Sequence, residues 1–229
     1  MSITNYLFSH FDRIWPRLVE HLTLSGISLG IAMLIALPLG LILSRAQKFA
    51  TPVLGLLGVI YTIPSFAFFA FLVPFTGIGA QPAIIALSAY ALVVLARNTM
   101  VAFTGVDPAI KEAARGMGMS PGQVLRRIEI PLALPIIVAG TRIAALSTIG
   151  LTTVAAWVGA GGLGQLLKDG MSDPTYSKLY AGIICVGAIA IGIDIIFRLV
   201  ERLVSVPTPR KTQQMISDTI VPTGQPKQA

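Results

Sequence analysis

Apolar and polar positions alternate along the chain on the scale of whole segments. Five long apolar runs, at residues 22–44, 54–75, 82–104, 132–157 and 179–199, are separated by short polar stretches. Each run is close to the roughly 20 residues that a helix needs to cross a bilayer. No Asp, Glu, Lys or Arg occurs in the 48 positions from 49 to 96, which leaves room for two such spans. A membrane β-barrel would show short alternating segments instead. The pattern therefore predicts an all-α membrane protein with about five transmembrane helices. Pro38, Pro64 and Gly150 lie inside the runs, where neighbouring helices can satisfy the freed backbone groups, and they mark candidate bends.

Composition agrees: 54% of the 229 residues are hydrophobic and 12% charged, with a mean hydropathy of +0.78. A soluble domain is about a quarter charged. Charge then sets the expected orientation. With the N-terminus outside and the C-terminus cytoplasmic, thirteen Lys and Arg fall on the inner side and four (Arg13, Arg17, Lys168, Lys178) on the outer, the bias that cytoplasmic loops show. Topology thus accounts for the net charge of +7, with no role for nucleic acid. The lone Cys185 lies in an apolar run and reads as packing. The first residues lack the layout of a cleavable signal peptide. Phe8, Phe11, Ile14, Trp15 and Leu18 recur at helical spacing, which predicts an outer-face interfacial segment over 1–21. Residues 22–204 form the transmembrane domain, and the polar, proline-containing stretch 205–229 reads as a flexible cytoplasmic tail.

The largest inner loop, 105–131, carries strong local signals. Asp107 followed by Pro108 is an N-cap with proline at the first helical position. Gly116, Met117 and Gly118 should end that helix, since glycine accepts the left-handed conformation. Ser120, Pro121 and Gln123 repeat the start signal as a capping box. A second short helix is expected from Pro121 to about Ile130, closed by the prolines that begin the fourth span. The small residues Ala113, Ala114, Gly116 and Gly118 suit close approach by another backbone. An amphipathic loop on lipid headgroups, with Arg126 and Arg127 toward anionic lipid, fits the same residues.

Glu112, Ala113 and Ala114, then Gly118 after three residues, Ile128 after nine more and Pro131 after a further two, resemble the EAA loop of ABC importer permeases. The resemblance implies that Ala109, Glu112, Ala113, Ala114, Gly116, Gly118, Ile128 and Pro131 couple this chain to an ATPase subunit. HLTLS from His21, YTIPS from Tyr61, RNT from Arg97 and GAGGLG from Gly159 are similar to the branch that imports glycine betaine, carnitine and choline. It implies a small, methionine-importer-like permease, a second permease chain, identical or paralogous, two cytoplasmic ATPase subunits and an extracytoplasmic binding protein. A permease for methionine or another small organic solute remains the alternative. A passive channel or an intramembrane enzyme is more remote.

The chain has no phosphate-binding G-x-x-x-x-G-K-[ST] loop, so ATP and Mg are expected on the partner, with no cofactor in this chain. Gly159, Gly161 and Gly164 match a dinucleotide fingerprint in letters, but follow a membrane span rather than a strand. With Gly162 they read as a flexible outer connection or gate. Tyr61, Pro64, Ser65, Arg97, Asn98 and Arg142 are pathway or helix-anchoring candidates. Arg97 and Arg142 lack an acidic neighbour at helical spacing, whereas Asp194 and Arg198 sit four apart as a local ion pair. An unpaired arginine would repel a quaternary ammonium group, which favours anchoring for both.

Overall fold

In hydrocarbon every backbone N–H and C=O must be satisfied inside its own segment, and the apolar runs accordingly coil into helices. The computed structural model describes Tyr6 and residues 9–205. Phe8, and the expected tail beyond Ser205, lie outside the described residues.

Helix α1 is Phe11–Arg45, α2 Gln47–Thr62, α3 Ser65–Thr76 and α4 Ala80–Thr104. The loop contains α5, Pro108–Gly116, and α6, Pro121–Val124. A π-helical segment Leu125–Glu129 leads into α7, Ile130–Ala155, which closes in a 3-10 turn, Ala156–Val158. Helices α8, Gly164–Met171, and α9, Ser177–Val204, complete the described chain. Helix α4 lies between α1 and α7, and α9 packs on α7 and α8.

Small residues bring these helices together, as is usual where lipid offers no hydrophobic drive for association. A Cβ on Gly40 of α1 would meet the Thr99 side chain of α4 at 2.5 Å, and one on Gly140 of α7 would meet Asn98 at 2.5 Å. Ala32, Ala36, Ala91, Leu95, Ala96 and Ala144 fill the centre of this contact.

Of the outer-face segment expected over 1–21, residues 11–21 belong to α1, which runs through residues 21 and 22 without a break. At about 1.5 Å per residue α1 is about 52 Å long. Two expectations are corrected. The run 54–75 is not one helix: α2 and α3 meet at a 93° bend across Ile63 and Pro64. Finally, Pro131 does not open a new helix. Pro121–Val158 is a continuous span of 38 residues in which the π segment absorbs the change of register.

Candidate functional site

The loop between α4 and α7 is fixed by hydrogen bonds close in sequence. The Asp107 carboxylate accepts from Ala109 N–H at 2.8 Å, and Pro108 occupies the first turn of α5. At the other end Met119 N–H donates to Ala114 O at 3.2 Å and Gly118 N–H to Arg115 O at 2.9 Å. With Gly118 at φ +82°, this is a Schellman closure. Ser120 N–H donates to Gln123 Oε1 at 2.8 Å and Gln123 N–H to Ser120 Oγ at 3.4 Å, a reciprocal capping box. Ala114 is buried toward the bundle, whereas Ala109, Ile110, Glu112, Ala113, Gly116, Met117 and Gly118 are exposed. Pro131 is exposed and Ile128, within the π segment, is half-buried. The exposed side combines one carboxylate, small residues and the apolar Ile110 and Met117, and it is held rigid at both ends.

Sequence reasoning missed how this loop is tied to the bundle. Glu129, at the end of the π segment, is buried and pairs with Arg45 at the last turn of α1. The signal was present: a single carboxylate between Ile128 and Ile130 in an apolar stretch. Its partner lies 84 residues away, beyond any local pattern.

At the opposite end of the bundle the glycine-rich segment is packed. Gly159, Gly161 and Gly162 all have positive φ. Gly162 N–H donates to Glu20 Oε2 at 2.6 Å, and a Cβ on Gly161 would lie 2.3 Å from the same carboxylate. The His21 ring is fully buried against Gly162 and bonded through Nε2 to Ile149 O at 3.1 Å. A Cβ on Gly164 would strike Thr153 O at 2.1 Å. The segment expected as a flexible connection is thus clasped by the turns of α1 and α7 that meet at this end of the bundle.

The two arginines separate. Arg142 Nε lies 2.5 Å from Asp194 Oδ1 on α9, its Nη1 lies 3.6 Å from Glu201, and Arg198 Nε lies 2.7 Å from the other Asp194 oxygen. Asp194 therefore bridges α7 and α9 rather than serving Arg198 alone. Arg97 makes no ion pair among the described residues. With Tyr61 and Asn98 it borders a cavity of about 350 Å³ beside the break between α2 and α3, where Pro64 caps α3 and Ser65 begins it.

The model of the family described as "Binding-protein-dependent transport system inner membrane component" matches residues 26–206. The osmoprotectant import permease protein OsmW of Salmonella typhimurium is 39% identical over 92% of this chain and 99% of its own length. The choline transport system permease protein OpuBB of Bacillus subtilis is 36% identical, covering 87% of this chain and 92% of its own. Among solved structures, the inward-facing MetNI methionine ABC transporter superposes with a TM-score of 0.77 at 25% identity, over 90% of this chain and 100% of that one. With four helices long and apolar enough to span, a fifth candidate in the bent pair α2 and α3, and a rigidly capped EAA loop, the chain belongs to the binding-protein-dependent transport system inner membrane components, as a multi-pass permease subunit of the bacterial inner membrane.

Proposed function

We propose that this chain is the translocating subunit of an ATP-driven importer for quaternary ammonium osmoprotectants such as glycine betaine, carnitine and choline. The observation that carries the reading is the exposed, doubly capped helix α5 with the residues EAARGMG, in a chain whose relatives are named for osmoprotectant and choline transport. The loop faces the cytoplasm and the glycine-rich segment faces outward. Two permease chains, identical or paralogous, stand side by side on two ATPase subunits, and an extracytoplasmic binding protein delivers the solute.

Ala109, Glu112, Ala113 and Gly116 on α5 form the contact with the ATPase, and Gly118 sets the angle at which α5 leaves it. Motion then enters the bundle at two places: through the continuous helix from Pro121 into α7, and through the Glu129–Arg45 pair into α1. ATP binding draws the two coupling helices together and opens the path outward, and hydrolysis reverses this. The ATPase supplies the differential free energy that the alternation requires.

Uptake of radiolabelled glycine betaine, carnitine, choline and methionine by the reconstituted complex tests the reading. ATP-dependent accumulation of the quaternary ammonium compounds, with none of methionine, is the expected result. Methionine uptake alone would overturn the substrate class, and uptake without ATP would overturn the importer.

A further inference from the structure

Two features of the bundle have no part in the coupling loop: the 93° break in the second span and, beside it, an arginine that has no counter-ion among the described residues. Tyr90 lies about 15 Å along α4, near its middle. Its hydroxyl donates to Ile63 O inside the break. Its ring is met edge-on by Tyr61, with centroids 5.8 Å apart at 78°, and by Phe68, 5.7 Å apart at 87°. The last turn of α2 thus ends on an aromatic cluster. The carbonyl end of a helix carries partial negative charge, and half-helix ends of this kind hold cations in other transporters. Aromatic faces attract quaternary ammonium groups for the same electrostatic reason.

Alongside lies the cavity of about 350 Å³ lined by Gly58, Tyr61, Val93, Val94, Arg97 and Asn98, within the roughly 300–1,000 Å³ of small-molecule sites. Arg97 is seven residues beyond Tyr90, about 10 Å along the same helix. It is exposed and makes no ion pair among the described residues. A guanidinium left in lipid at this depth is costly, which favours a hydrated environment on the side where it stands. Asn98 gives one amide N–H to Val94 O at 2.8 Å, which leaves its second free to donate. The cavity therefore has a cation-attracting end at Tyr61 and an anion-attracting end at Arg97 and Asn98.

We propose that this cavity is a transit site for zwitterionic quaternary ammonium solutes, with the trimethylammonium group on Tyr61 and the carboxylate on Arg97 and Asn98. The proposal rests on the import function above and adds a preference: a solute with both charges engages both ends, whereas choline, which has no carboxylate, engages the aromatic end alone. The repulsion between an arginine and a quaternary ammonium group becomes a selectivity device once the solute carries its own anion.

Saturation-transfer NMR on the full chain in nanodiscs, with glycine betaine and choline as probes, tests the site without requiring transport. Both sets of N-methyl protons should receive saturation from the wild-type chain, more strongly for betaine. Arg97→Gln should weaken betaine about tenfold, the scale of a lost charge-assisted pair, and leave choline within about twofold. Tyr61→Leu should lose both, while Tyr61→Phe, which keeps the aromatic face, should retain both. No transfer in the wild type, or equal loss of betaine and choline in Arg97→Gln, would overturn the site. If the wild-type complex imports betaine while either of those results holds, the function stands and this site alone fails. If it imports none of these solutes, the function fails.

Discussion

Glu129 is 1% exposed, whereas its partner Arg45 has 48% of its side chain accessible, and that asymmetry decides what each substitution should do. Arg45→Ala strands a buried carboxylate, which costs about 3–5 kcal/mol when nothing replaces the partner. Glu129→Gln leaves a neutral amide inside and an arginine that can turn to water, so its cost should be about 1 kcal/mol. The double substitution should recover most of the difference between the two. Thermal unfolding of the detergent-solubilised chain in a double-mutant cycle measures this directly, and single losses that simply add in the double variant would show that the pair does not hold the loop. The same contrast explains what the sequence could reveal about individual residues. Asp107, Ser120 and Gln123 act on atoms two or three positions away, and their roles are legible from spacing. Arg142 meets Asp194 across 52 positions and Glu20 meets Gly162 across 142, so no local rule could pair them.

At the scale of elements, proline shows where reading stops. Pro16, Pro38, Pro52, Pro74 and Pro135 all lie inside unbroken helices, and only around Pro64 does the chain turn by 93°. All six remove a backbone donor, and what differs at Pro64 is tertiary: the Tyr90 hydroxyl satisfies Ile63 O, which the break frees. The π segment was hidden for a related reason, since one five-residue hydrogen-bonded turn, Ile130 N–H to Leu125 O, leaves no mark on hydropathy. Gly118 is the opposite case, a glycine whose necessity is entirely local. Nothing lies within 4 Å of where its Cβ would be, yet its φ of +82° is one that a β-branched residue resists. Gly118→Val should therefore cost about 1–2 kcal/mol through backbone conformation alone and disorder the end of α5. Gly118→Asn, which tolerates the left-handed region, should retain it. Co-purification of the ATPase subunit is the readout. It should fall with valine and persist with asparagine, and full retention by the valine variant would mean that the partner does not depend on the geometry of this turn.

For the whole molecule, the exposed apolar residues identify the solvent. Leu34, Phe75, Ile78 and Leu203 are each more than 70% accessible, and the most apolar stretch of α9 has no buried residue. Such surfaces are stable against lipid or a second permease chain, not against water. Within that slab, the loop of α5 and α6 emerges at one end and the turn before α9 at the other, because α4, α7 and α9 alternate in direction. The expectation that the α5 end faces the cytoplasm rests on the thirteen-to-four division of Lys and Arg, a bias that acts during insertion and leaves no contact in the folded chain. Two exposed positions report it: Met117, 72% accessible after α5, and Tyr176, 51% accessible before α9. Cys185 is partly buried within α9 and is replaced by alanine first, so that a single thiol is read at a time. In intact cells a membrane-impermeant maleimide should label Tyr176→Cys and spare Met117→Cys, and in inverted vesicles the two should exchange. Helix direction places the two positions at opposite ends and charge placement decides which end is inside, so labelling of Met117→Cys from outside would invert every span at once and remove the coupling loop from the reach of a cytoplasmic ATPase.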